Sequence, residues 1–363
     1  MKTSSLKKNI ALSAAVAALA FTSNLRAQVP VFIEGGSASQ SVLYDRATNL
    51  FAGNPITVTG AASAAVRRFV GVSANPALSG YGTITLDINV NNGAVAGLQA
   101  LVNQSAGPND TNVLGVPTVP TFVDSATSPE AVGIDSVAAN LDSYPTYVVP
   151  LVFIKNANSL DTAPITNLTQ QQAVTLETST NSTRYFGGTS TNQVFFIGRN
   201  KEAAVRTEIE LNIYNSANIE TYYTNASGKA TLDTSADPGL SAGGAVANTV
   251  LVLTNAIGTV AVQNLKAGLV SIPFNGVPYS AANVINGSYQ LWGYENYYFI
   301  STGNPGAPTG PQQAVLDAFY QSVTNATFQA QVGGVFTNNF IPNTALRVNR
   351  SFDGGQITPL PNY

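Results

Sequence analysis

Neither cysteine nor histidine occurs anywhere in the 363 residues. Without thiols the chain forms no disulfide, thiolate metal site or cysteine nucleophile. Without imidazole it lacks the commonest general base and metal ligand at neutral pH. Charge is scarce too, at 10% of residues. No basic block is present, which speaks against nucleic acid or an anionic membrane surface as partner. Past residue 27, no apolar run reaches the roughly 20 residues of a membrane-spanning helix. No catalytic residue, metal ligand or cofactor is expected.

What is present starts with an export signal. Lys2, Lys7 and Lys8 form a basic head, residues 10–21 are an apolar run, and Leu25-Arg26-Ala27 offers a small-residue exit before Gln28. Residues 1–27 therefore read as a secretory signal peptide cleaved near Ala27. With no cysteine after the cut, a lipid anchor is not expected, and the product should be soluble, periplasmic or secreted. Four of the 16 Lys+Arg and none of the 19 Asp+Glu leave with the signal, so 12 basic residues face 19 acidic ones, a net charge of −7. The remaining length suffices for two domains and a substantial core.

Along the chain, short β-prone runs alternate with helical periods. Strands are expected at 31–33, 56–59, 80–90, 144–154, 194–197, 256–265, 268–272 and 289–300, with a weak strand or hairpin at 220–223. Helices are expected at 40–51, around Val66, Phe69 and Val70, at 93–102, from Thr169 (a capping box with Gln172), from Glu202, at 280–286, 312–323 and 326–332. Pro150 marks its strand as bent or at an edge. Residues 103–121 and most of 215–248 read as loop. The alternation implies an α/β fold with a mainly parallel sheet covered by helices.

The stretch 194–214 stands out. A strand at 194–197 breaks at Gly198, and Val205, Ile209 and Ile213 then share one helical face. The pairs Glu202/Arg206 and Arg206/Glu210 have i,i+4 spacing. A strand feeding a helix N-terminus through a loop carrying Arg199 and Asn200 is where anions are commonly held, by free amides and the positive end of the dipole.

Residues 148–172, 195–208 and 257–299, with 35–51 (GGSASQSVLYDRATNLF), resemble in order and spacing the periplasmic phosphate-binding protein family. These are the two-lobed substrate-binding proteins of phosphate ABC transporters. The resemblance implies a type II periplasmic-binding-protein-like fold with mixed sheets flanked by helices. Lobe I would comprise 28–147 plus 290–363, and lobe II 148–289. It implies a monomer that binds a small anionic or polar ligand between lobes and passes it to an ABC permease. Site residues carry over to Ser37, Ala38 and Ser39 in the first loop, Ser63 in the second (Gly60-Ala61-Ala62-Ser63), Asp124 as the acceptor of the ligand's proton, and Arg199 and Ala203 in the third. There the family's Gly-Ser-Gly-Thr-Arg falls on Glu202-Ala203-Ala204-Val205-Arg206, so two hydroxyls are missing. At roughly 1.5–3 kcal/mol per hydrogen bond to a charged ligand, that loss weakens binding by about two to four orders of magnitude. Glu202 adds a repelling carboxylate.

Each residue has a plainer role open to it. Arg199 could pair with Glu202 or Glu208 at the surface, the serines could be helix caps, Asp124 a turn residue, and Trp292 core. Two functions stay open: a receptor for phosphate or a related oxyanion that works by hinge closure, and an exported structural or interaction protein that keeps the fold after losing the anion site. A hydrolase is weak, for want of a base.

Overall fold

The computed structural model describes residues 28–361 apart from 332 and 338; the expected signal peptide lies outside the described residues. The chain starts with β1 (Val29–Gly35), α1 (Gln40–Leu50), β2 (Ile56–Thr59), β3 (Val66–Val72), β4 (Thr83–Asn89), α2 (Ala94–Asn103) and β5 (Phe122–Ser125). The long β6 (Leu141–Asn156) leads to α3 (Gln170–Thr178), β7 (Asn181–Ser182), β8 (Gln193–Ile197) and α4 (Ala204–Asn212). A small hairpin, β9 (Tyr222–Thr224) and β10 (Ala230–Leu232), precedes α5 (Gly243–Val252), β11 (Ala256–Ala261), β12 (Leu269–Ile272) and α6 (Ala281–Ile285). The chain returns through β13 (Trp292–Ile300) to α7 (Gly310–Val323) and α8 (Ala326–Gln329). It ends on the short β14 (Ile341–Pro342), β15 (Val348–Asn349) and β16 (Thr358–Pro359).

One mixed sheet runs β2-β3-β4-β1-β5-β13-β6-β11-β8-β7, with β12 and β14 also on β6. Helices cover it, as in a two-lobed type II binding-protein fold. β1 lies parallel between β4 and β5, and β11 parallel to β8, but β3, β6 and β13 pair antiparallel with their neighbours. The sheet is therefore mixed, not mainly parallel.

Residues 146–155 of β6 are buried without interruption, as expected of a strand covered on both faces. β6 pairs with β13 as far as Pro150 and with β11 from Leu151 onward. Pro150 thus stands at a change of partner, where its missing N–H breaks no ladder, so this proline-bearing strand is central and not an edge.

Two sequence expectations fail for identifiable reasons. The helix expected around Val66, Phe69 and Val70 is β3: over so few residues a period of two fits as well as 3.6, and Arg68 reaches across to Asp87 on β4 at 2.7 Å. Within the segment read as loop lies α5, whose Gly243-Gly244 start gives little helical signal. Other details hold. Thr169 and Gln172 form the capping box of α3, and Arg206 pairs with Glu210 at 2.7 Å. Glu202 precedes the first residue of α4.

Candidate functional site

Four helix starts meet between the lobes. β1 ends at Gly35, and Gly36-Ser37-Ala38 turns the chain into α1. α2 starts after Gly93, α4 after its N-cap Ala203, and α5 at Gly243. The first three line a cavity whose walls include Ser37, Ala38, Ala94, Ala126, Arg199 and Ala203, with Glu295 entering from β13; the start of α5 lies against Ser37. A register shift between Glu295 and Asn296 is the kind of bulge that re-aims a side chain beside a site. The space open to a water's centre is about 10 Å³, room for one water.

Arg199 is the cation of this cavity and is 2% exposed. Nε donates to the Leu240 carbonyl at 2.9 Å, Nη2 to the Ser241 carbonyl at 2.7 Å and Nη1 to Ser37 Oγ at 3.3 Å. Among the described residues no carboxylate lies within 4.0 Å of it; the ion pairs there are Arg46–Asp45, Arg68–Asp87 and Arg206–Glu210. The surface pair with Glu202 or Glu208 is thus absent. Burial lowers the guanidinium pKa to about 10, so the charge persists at neutral pH without a counter-ion, a costly arrangement.

Protein acceptors already occupy some of the donors that surround it. The Val95 amide at the start of α2 donates to the Glu202 carbonyl at 3.1 Å, so the third loop caps a helix of the opposite lobe. Gly93 makes that approach possible: its φ is +95°, and a Cβ there would sit 2.2 Å from Glu202 O. The Gly243 amide donates to Ser37 Oγ at 3.1 Å, and Gln263 Nε2 to the Ser37 carbonyl. The amides of Ala204 and Val205 have no partner among the described residues. Outside the cavity, a groove of about 610 Å³ is bordered by Asp110, Glu202 and Asp237, with Lys201 as its cation.

Carboxyls lie at the cavity floor. Asp124 on β5 is fully buried and accepts from Ser39 Oγ. Its carboxyl lies close enough to that of Glu295 for the charge of Asp124 to act on Glu295. Burial pushes Asp124 up to about 7, against the opposing hydrogen bonds from Ser39 and Glu295. Burial, then the charge of Asp124, holds Glu295 well above the usual range. Behind them Glu208 on α4 accepts from Thr127 Oγ1 at 2.8 Å; burial and then Asp353 raise its pKa as well. Gly293 makes room for Glu208, since a Cβ there would lie 2.9 Å from Glu208 Cγ.

Of the residues singled out from sequence, Ser37, Ala38, Arg199 and Ala203 line one cavity, with Ser39 and Asp124 directly behind. Ser63 is elsewhere, exposed in the β2–β3 turn, because β3 is a strand and no helix starts there. Ser39 occupies the N-cap of α1 but makes no side-chain cap, and its hydroxyl goes to Asp124. Asp124 is a strand residue, not a turn residue. Trp292 is core, fully buried beneath the Arg350 guanidinium at 3.9 Å. Sequence reasoning missed the start of α2, Glu295 and the start of α5. The Asn-Gly before Ala94 was the available signal for the first.

The elements and this cleft define a two-lobed α/β protein with the type II binding-protein-like fold. No family model and no curated protein matches the sequence. Among solved structures, the chain is similar to one described as a phosphate ABC transporter substrate-binding protein with bound phosphate from Clostridium perfringens. The two share 15% identity at a TM-score of 0.58, over 86% of this chain and 99% of that one. An ABC-type phosphate transport receptor from Vibrio cholerae matches more loosely, at 14% identity and a TM-score of 0.48, over 80% of this chain and 93% of the other. At these identities the likeness concerns the fold.

Proposed function

We propose that this is an exported receptor that closes its two lobes on a small oxyanion and delivers it to a membrane permease. The observation that carries the reading is Arg199, a buried cation with no counter-ion, in the wall of a cavity also lined by Ala204 and Val205, whose amides have no partner among the described residues. An anion there supplies the missing charge and meets the positive ends of the helices. The lobes part at the β6 and β13 crossings, near Pro150 and Leu291, and the closed state prefers ligand. No side chain has a catalytic role.

A second reading, an interaction protein that has given up phosphate, is favoured by one set of features. The empty cavity holds about one water, the Glu202 carbonyl caps α2, and acids border the groove outside. Calorimetric titration of the chain lacking residues 1–27 with phosphate and sulfate separates the two. The receptor reading expects saturable heat that Arg199→Met abolishes. No heat and no thermal shift at millimolar anion would leave the second reading standing.

A further inference from the structure

At the floor of the cleft Asp124, the residue carried over as acceptor of the ligand's proton, lies beside a second buried acid, Glu295. Glu295 lines the cavity and is 1% exposed, and Asp124 behind it is fully buried. Glu295 Oε2 and Asp124 Oδ1 are both buried without a hydrogen-bond partner among the described residues. We propose that an anion entering the cleft is accompanied by one proton, which the Glu295–Asp124 pair holds; this rests on the receptor reading above. With a single proton between them the two carboxyls carry one negative charge beside the ligand. A second proton removes that charge and leaves Arg199 to face the anion alone.

The groups around the pair leave it as the element that responds. From α4, burial and then the charge of Asp353 raise Glu208 well above the usual carboxyl range, with Arg350 acting against them. From β6 and β13, the hydroxyls of Tyr147 and Tyr297 are kept from ionising by burial and by the charge of Asp124. From the start of α1, Ser39 donates to Asp124, and Arg199 lines the cavity above. Asp124, pushed up to about 7, is poised near neutrality in the empty protein. A neighbouring anion raises it further, so binding strengthens as pH falls.

Sulfate tests this, because its charge is constant across the range used. Its affinity should fall by close to tenfold per pH unit above about pH 7 and level off below. Binding heats in buffers of different ionisation enthalpy should report close to one proton taken up per sulfate near pH 8. Asp124→Asn should flatten the profile and abolish proton uptake; Glu295→Gln should do the same and serves if the first variant does not fold. Sulfate binding with a flat profile and no proton uptake overturns the proposal and leaves the anion site intact. Binding of neither sulfate nor phosphate even at acidic pH overturns both.

Discussion

Glu34 on β1 gives the sharpest stability test. It is fully buried, neither carboxylate oxygen has a hydrogen-bond partner, and it abuts Asp110 and Asn92. Burial, then the Asp110 charge, raises its pKa to about 9 from 4.5. Below pH 4.5 both folded and unfolded chains hold the proton, so there is no penalty. Between 4.5 and 9 the unfolded chain releases it while the folded chain keeps it, and stability falls by about 1.4 kcal/mol per pH unit. Above 9 the penalty is constant. At pH 7 it amounts to roughly 3 kcal/mol. Glu34→Gln imitates the protonated acid, keeps a donor for Asp110 and carries no penalty. It should stabilise the chain by about 3 kcal/mol at pH 7, more at pH 8, and by almost nothing at pH 4.5. Denaturant midpoints at these pH values measure the difference directly. A gain equal at pH 4.5 and pH 8 would refute the argument, since it would arise from packing and not from the proton.

Two further outcomes follow from the site's geometry. Gly93→Ala places a methyl group 2.2 Å from the Glu202 carbonyl on a backbone of φ +95°, costing at least 1–2 kcal/mol. It should lower the melting temperature and raise the radius of gyration in X-ray scattering; no change in either means the Val95–Glu202 bond does not hold the lobes. Ser63→Ala, on an exposed turn, should leave stability within about 0.5 kcal/mol and anion affinity unchanged; weakened sulfate binding would return this residue to the site.

Most of the fold was legible where one period was sustained or a cap was explicit. The α3 capping box and the long apolar run of β6 are examples, since both depend on local chemistry. β3 was not, because Val66, Phe69 and Val70 are too few to decide between the two periods. α5 was hidden by its glycines, which lower helix propensity while letting Asn264 sit where any Cβ on Gly243 would be, 2.3 Å from Asn264 Oδ1. At the site, Arg199 stands out in sequence as the cation of a loop between a strand and a helix, and Ser37, Ala38 and Ala203 carry over from the family resemblance. Glu295 does not, because it reaches the cavity through a register shift in an aromatic strand. Val95 meeting Glu202 is a contact across 107 positions that no local pattern encodes.

That contact also reframes the missing hydroxyls of the third loop. In sequence, Ala203 and Val205 look like simple losses, and Glu202 like a carboxylate placed against an incoming anion. In the fold, the Glu202 backbone carbonyl takes the Val95 amide and so occupies a donor at the start of α2. The neighbouring Ala94, Ala126 and Ala204 are small enough for the lobes to close down to a space of about 10 Å³. On the proposed receptor function, an anion that takes the Val95 amide must first break this bond, and its net affinity there is the anion's gain less that bond and the apolar contacts around it. Since a net protein hydrogen bond is worth about 1 kcal/mol and one to a charged group about 1.5–3 kcal/mol, exchanging Glu202 for an anion at Val95 alone gains little. Arg199, whose charge nothing else compensates, has to supply the rest.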